Sequence, residues 1–479
     1  METTKILLAV AGAAAAASCS PKQKTQVQHP NIVFILADDL GWGDLSCYGQ
    51  ERFSTPNIDS LARGGMLFTQ AYSGTTVSAP SRSCLVTGTH SGHTAVRGNR
   101  ELEPEGQYPL PEGSETIFKD MQAAGYLTGA FGKWGLGFVG STGDPAAQGI
   151  DTFFGYNCQL LAHSYYPDHL WENSRKIELE DNTDAIPYGK GTYAPDLIHR
   201  KSLEFIENAV ACGKPFFMWY PTTIPHAELI VPEDEVIASF RGKYPETPYK
   251  GIDDGPYFRK GGYVSQEYPH ATFAAMVTRL DNYVGEIVDK LRELGVYNNT
   301  VIIFASDNGP HTEGGHDPDF FNSNGPWRGY KRDVYEGGIR VPLIVSWPGH
   351  IGQNVQTDFM CSFWDMMPTL REMTGVAPAQ GLDGVSLLPL ICGTGVQKEH
   401  DFLYFEFQEQ GGRQAVRQGP WKLVHLDIRT DNPHYELYNI DEDPGETTNI
   451  AVSYPEQLAR LKAIMEREHI PNPDWPLLP

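Results

Sequence analysis

Asn31–Ala37 (NIVFILA) is a continuous apolar run that ends directly in Asp38-Asp39. A strand with apolar side chains on both faces must be covered on both faces, as happens in a parallel sheet between layers of helices. Val301–Ala305 (VIIFA) repeats the pattern and ends in Ser306-Asp307-Asn308. Leu127–Phe131, Pro215–Tyr220 and Pro342–Ser346 read as further strands. Helical periodicity over Asn57–Gly65, Ser114–Ala124, Asp196–Ala211 and Ala271–Leu294 separates them, with Ser114 as the expected cap of the second. This alternation predicts an α/β fold with a large mixed, mostly parallel sheet sandwiched by helices. Beyond Thr374 the texture changes to short strands over Asp401–Phe407, Arg413–Val416, Trp421–Leu426 and Tyr435–Asn439, closed by a helix over Pro455–His469. We therefore expect a catalytic domain over 30–374 and a smaller antiparallel-sheet-plus-helix subdomain over 375–479.

The N-terminus reads as an export signal. Lys5 precedes an apolar run, Ile6–Ala17, that is too short to span a bilayer. It ends Ala16-Ala17-Ser18-Cys19, which resembles a lipobox, although ordinary signal cleavage would leave the same pattern. The expectation is a lipoprotein signal peptide over 1–18, a linker over 19–29, and a lipid anchor on Cys19. That places the protein in the periplasm of a Gram-negative bacterium, touching membrane only through the anchor. The other six cysteines, Cys47, Cys84, Cys158, Cys212, Cys361 and Cys392, show no C-x-x-C spacing. They permit disulfides or serve as small buried hydrophobes. A formal net charge of -23 argues against nucleic acid as a partner. An anionic substrate must then meet a local cluster of cations.

Such a cluster is foreshadowed where strands end, since ligands of open α/β sheets bind beyond the carboxyl ends of the strands. Asp38, Asp39, Asp307 and Asn308 form an oxygen-only set, which suits Ca²⁺ or Mg²⁺ better than zinc. Lys133 follows the Leu127–Phe131 strand, and His226 lies six residues beyond Tyr220. An Asp pair after a strand is, by itself, equally a cap or a turn.

Thr76–Gly88 decides the matter. Ser78-Ala79-Pro80-Ser81-Arg82, followed by Leu85, Thr87 and Gly88, resembles the signature of type I formylglycine-dependent sulfatases, a branch of the alkaline phosphatase superfamily. Further segments resemble the same family: Gly132-Lys133-Trp134, Pro225-His226, Gly329-Tyr330-Lys331, and Glu336-Gly337-Gly338 through Pro342. Trp421-Lys422-Leu423-Val424 and Glu436-Leu437-Tyr438-Asn439 extend the resemblance into the tail. Within that branch the chain is similar to the arylsulfatase A and N-acetylgalactosamine-6-sulfatase group of glycan sulfatases.

The resemblance implies an alkaline phosphatase-like fold and a sulfuric ester hydrolase. Ser78 would be oxidised to Cα-formylglycine by an anaerobic radical maturing enzyme. One hydroxyl of the hydrated aldehyde would attack sulfur, and the other would expel sulfate. One Ca²⁺ would be held by Asp38, Asp39, Asp307, Asn308 and the modified residue 78. Arg82 would support the nucleophile and the metal, Lys133 and Lys331 would bind sulfate and the bridging oxygen, and His226 would act as general acid.

The family usually carries a His where this chain has Gly135, and His163 is the expected substitute. Arg97, Asn99 and Arg100 are expected to grip sugar hydroxyls. His169 and Trp171, with Tyr165 and Tyr166, are expected to form a platform for a sugar face. The expected substrate is a sulfated galactose or N-acetylgalactosamine unit, cleaved by exo action. Two other readings are a phosphatase or phosphonate monoester hydrolase of the same superfamily, working through unmodified Ser78, and an inactive glycan-binding lipoprotein, for which Gly135 speaks.

Overall fold

A computed structural model describes residues 29–182, 190–254 and 262–478. The expected signal peptide, Cys19 and nearly all of the linker lie outside these residues. The strands of the main sheet are β1 (Asn31–Ala37), β2 (Met66–Phe68), β3 (Leu127–Lys133), β4 (Thr152–Tyr156), β5 (His169–Glu172), β6 (Arg175–Glu178), β7 (Phe216–Pro221), β8 (Thr300–Ser306), β9 (Leu343–Ser346) and β10 (Val355–Thr357). Their order across the sheet is β10-β2-β9-β8-β1-β7-β3-β4-β5-β6. The run β8-β1-β7-β3-β4 is parallel throughout, with antiparallel pairs on both sides.

Strand β1 is central, with Phe34 opposite Trp219 on one side and Ile303 on the other. The apolar run is explained by its two faces. Val33 and Ile35 pack with α4 (Ala194–Ala211) and α5 (Pro269–Glu293). Ile32, Phe34 and Leu36 pack with α2 (Ser78–Thr87), α3 (Ile117–Ala123) and α6 (Met366–Thr374). Helix α1 (Pro56–Arg63) opens on a proline at its first position, where no N–H is missed.

Two local expectations need correction. Helix α3 starts at Ile117, and its cap is Thr116, whose side chain accepts from the Lys119 N–H; the Ser114 hydroxyl instead donates to the Pro111 carbonyl in the preceding turn. Lys133 is the last residue of β3 and does not lie beyond it.

The tail forms an antiparallel sheet of β11 (Leu403–Phe407), β12 (Arg413–Gln418), β13 (Trp421–Leu426) and β14 (His434–Asn439). Helix α7 (Pro455–Glu468) covers one face through Leu461, Ile464 and Met465. The other face meets Tyr72, Val334 and Trp364 of the larger unit. That seam is bolted by a buried carboxylate, Glu336, which accepts from Tyr72 Oη (2.6 Å), Arg340 Nη1 (3.1 Å) and Lys422 Nζ (3.0 Å). All six described cysteines are free thiols. No helix among the described residues is long and apolar enough to cross a membrane.

Candidate active site

The carboxyl ends of β1, β3, β7 and β8 converge with the first turn of α2. Ser78 is the first residue of that helix, and Pro80 sits in the first turn, where no intrahelical N–H is needed. The residue before the helix, Val77, has no side chain that can cap it. The Asn99 side chain supplies the missing acceptor, taking the Ala79 N–H at 3.1 Å.

The Ser78 Oγ donates to Asp38 Oδ1 at 2.9 Å and lies 3.4 Å from Lys133 Nζ. Lys133 Nζ in turn holds Asp38 Oδ2 at 2.6 Å. Arg82 spans the floor: Nε and Nη2 donate to Asp307 Oδ2 at 3.2 and 2.9 Å, and Nη1 donates to the Lys133 carbonyl at 2.5 Å. On the far side, Asp39 accepts from Asn308 Nδ2 (2.7 Å) and Lys331 Nζ (2.8 Å). Asp39 stands at φ 62°, a left-handed conformation that Asp tolerates better than most residues. His226 donates from Nδ1 to the Ala227 carbonyl, so its Nε2 is the acceptor facing Lys331 Nζ at 2.9 Å.

Every one of these side chains is buried. Three carboxylates face three cations, so a dication that enters leaves the site net positive and able to take an anionic group. The balance is local. Burial raises the Asp38 pKa, but the cations Lys133, Arg82 and Lys331 outweigh it and hold the carboxyl well below the usual range. Asp307 is pushed upward by burial and by Asp38, against Arg82. Burial and then Lys331 pull His226 well below the usual imidazole value, so it is neutral. Crowded carboxylates, with the buried Asn308 Oδ1 left without a hydrogen-bond partner, are what a hard oxygen-binding cation fits.

The structure brings Asp38, Asp39, Ser78, Arg82, Lys133, His226, Asp307, Asn308 and Lys331 into one cluster. His163 joins it from the His226 side, with the two rings stacked at 5.0 Å and 14°. At Gly135 (φ +72°) the space for a side chain is taken by Gln159, whose Nε2 lies 2.4 Å from where a Cβ would be.

The expected sugar-binding residues are distributed differently. Arg97 is buried and committed to Glu406 Oε1 (2.9 Å) and the Ile470 carbonyl (2.7 Å), so the sugar-gripping expectation fails there. Asn99 caps α2, as described. Arg100 donates to the Asp474 carbonyl and stacks over Trp475. His169 and Trp171, on β5, both bind Glu105 at 2.7 Å. Tyr165 and Tyr166 are core residues, and the Tyr165 hydroxyl lies 2.6 Å from the carbonyls of Thr223 and His226, bracing the His226 loop.

Sequence reasoning missed four residues. Glu313, His311 and Arg332 surround Lys331 and His226, and Tyr263 packs 5.3 Å from His163 and 6.3 Å from His226. Glu313 and His311 follow the Asp307-Asn308 pair so closely in the chain that proximity alone could have flagged them. Tyr263 sits in a loop with no signal of its own.

Comparisons with known proteins agree with this geometry. The family model described as Sulfatase matches residues 30–376, and one described as N-sulphoglucosamine sulphohydrolase, C-terminal, matches 325–469. The chain is 31% identical to arylsulfatase A of Bos taurus, over 95% of this chain and 89% of that one. It is 30% identical to N-acetylgalactosamine-6-O-sulfatase of Bacteroides thetaiotaomicron, over 97% and 98% respectively. The solved structure of Ps i-CgsB in complex with k-i-k-neocarrahexaose superposes with a TM-score of 0.76 at 26% identity, covering 94% of this chain and 95% of that one.

Proposed function

This chain belongs to the sulfatase family, and on that premise we propose that it removes sulfate from a galactose or N-acetylgalactosamine unit of a sulfated glycan, by exo action, through a formylglycine derived from Ser78. The observation that carries the proposal is the setting of Ser78, at the positive end of α2 and between Asp38 and Lys133. A nucleophile there attacks an anion already neutralised by its surroundings.

In this reading Asp38, Asp39, Asp307, Asn308 and the modified residue 78 would hold one Ca²⁺. When bound, it supplies Lewis-acid polarisation of the sulfate oxygens. The rest is done by side chains. Lys133 orients the nucleophilic oxygen and binds a sulfate oxygen. Arg82 fixes Asp307 and the end of β3, so that Lys133 and the metal ligands keep their spacing. Lys331 binds sulfate and the bridging oxygen. His226 contacts sulfate and, sharing a proton with Lys331 through Nε2, serves as general acid for the leaving alcohol. His163, stacked on His226, is assigned the proton transfer that the family usually gives to the residue at 135.

The proposal extends to the cell. A maturing radical enzyme oxidises Ser78, residues 1–18 are cleaved, and Cys19 anchors the protein on the periplasmic side. The division near residue 375 rests on the change from parallel to antiparallel sheet. The test is sulfate release from 4- and 6-sulfated N-acetylgalactosamine and galactose, against phosphate and phosphonate monoesters of the same alcohols. Preferential release from a sulfated sugar supports the proposal; turnover confined to the phosphorus esters by unmodified Ser78 protein contradicts it.

A further inference from the structure

One carboxylate beside Lys331 has no part in the scheme above. Glu313 Oε1 is clamped by Arg332 Nη1, and Oε2 lies 3.5 Å from Lys331 Nζ. Its side chain is 16% exposed. Burial raises its pKa, yet Lys331 and His311 outweigh burial and bring it down to about 2, so the group is an anion at any working pH. Asp39, His311 and Glu313 come close enough together to suggest a second cation site. The hydrogen bonds exclude it. His311 Nδ1 accepts from the Glu313 N–H at 3.1 Å, and its Nε2 faces the Pro225 carbonyl at 3.1 Å, so neither nitrogen keeps a lone pair for a metal.

The clamp itself is rigid. Arg332 sits at φ 77°, its N–H donates to the Thr76 carbonyl (3.0 Å), and its own carbonyl accepts from Arg413 Nη1 (3.0 Å). A long side chain holds such a backbone only where its surroundings over-determine it. Glu313 is thus a fixed point beside the buried Lys331 ammonium. The Lys331 ammonium donates to Asp39 Oδ2 at 2.8 Å and His226 Nε2 at 2.9 Å, and pairs by charge with Glu313 Oε2 at 3.5 Å, so its third N–H is left for an oxygen of the substrate. The first two draw it into the metal-ligand corner, and Glu313 draws it the other way. Lys133 is the lysine beside Ser78. Lys331 bonds to the opposite carboxylate, and in an in-line displacement the leaving oxygen departs on the side away from the nucleophile.

We infer that Glu313 is a positioning residue that aims one N–H of Lys331 at the bridging oxygen of the sulfate ester. The inference rests on the sulfatase reading. It requires that the benefit of Glu313 grow with the basicity of the leaving group, because a poor leaving group needs more hydrogen bonding at its oxygen.

The test is kcat and KM of wild type, Glu313→Gln and Arg332→Gln on a series of aryl sulfates of rising phenol pKa, with a sulfated galactose or N-acetylgalactosamine at its end. Glu313→Gln keeps the shape and loses the charge. Its kcat should fall about 10–100-fold on the sugar sulfate and stay near wild type on an activated aryl sulfate. KM should not rise, since removing an anion beside an anion site does not weaken binding. Arg332→Gln leaves the Glu313 carboxylate charged but removes its anchor, should steepen the same dependence, and serves as the test where Glu313→Gln does not fold. A uniform loss along the series, a rise in KM alone, or no loss overturns the inference while leaving the sulfatase reading intact. Absence of sulfate release by wild type along the whole series overturns both.

Discussion

Ser78 is a plain serine hydroxyl until its surroundings are considered, and then it is the only nucleophile placed against a lysine, a carboxylate and a helix end together among the residues described. Ser78→Ala should therefore abolish turnover with no loss of thermal stability, measured by sulfate release and differential scanning calorimetry. Arg82 carries a second prediction. Its planar fork makes two bonds to Asp307 and one to the Lys133 carbonyl, a pattern that lysine cannot copy. If Asp307 holds the proposed Ca²⁺, Arg82→Lys should weaken binding of added Ca²⁺ about 10–100-fold, measured by titration calorimetry. At this scale much of the site was legible, because Asp38, Asp39, Asp307 and Asn308 sit immediately after apolar strands and Ser78 to Gly88 keep a rigid spacing. Glu313 and Tyr263 were not, since their importance comes from loops that only the folded chain brings beside Lys331 and His163.

Among the elements, α2 shows how a signature and a cap can be separated in the chain. The helix cannot cap itself with Val77, so its N-terminal amide is served by Asn99, which the sequence placed among sugar-binding residues. Asn99→Ala should cost about 1 kcal/mol in chemical denaturation and lower kcat with little change in KM; a rise in KM alone would return Asn99 to the substrate. The loop after α2 carries a pH-sensitive contact. His93 Nδ1 lies 3.0 Å from both oxygens of Asp383, and although burial lowers its pKa, Asp383 and Glu468 raise it overall. A raised imidazole pKa gives stability that is full below the unfolded value of about 6.5 and is lost as pH rises through the folded value. The melting-temperature gap between wild type and His93→Asn should be widest below about pH 6 and close as the pH is raised past the shifted value. Strands β1, β3, β7, β8 and β9 were read to within two residues because burial on both faces leaves an unbroken apolar run, whereas β2, β4, β5, β6 and β10 were not predicted. Cap positions were not, as Thr116 and Ser114 are equally good caps on paper and only the turn at Pro111 decides between them.

The whole molecule joins two sheets of opposite character through buried charge. Lys422 reaches from β13 to Glu336 (3.0 Å) and Glu446 (2.9 Å), all fully buried. Lys422→Met leaves the buried Glu446 without its cation and Glu336 with Arg340 in place of two partners, and should cost about 3–5 kcal/mol, read from the denaturation midpoint. Such a loss should spread to activity, because Glu336 begins the segment that follows Lys331 and anchors Tyr72, the strand residue before the Ser78 loop. The seam was invisible in sequence, where a Glu and a Lys 86 positions apart are two ordinary surface charges. What the fold as a whole is built to present is residue 78, and its chemical form is the most direct test. Peptide mass spectrometry of the segment spanning residue 78, from protein made anaerobically with a serine-type maturing enzyme, should find it lighter by the pair of hydrogens lost in oxidation to the aldehyde, with sulfatase activity proportional to that fraction. Full activity in protein whose residue 78 is entirely unmodified serine would contradict the account.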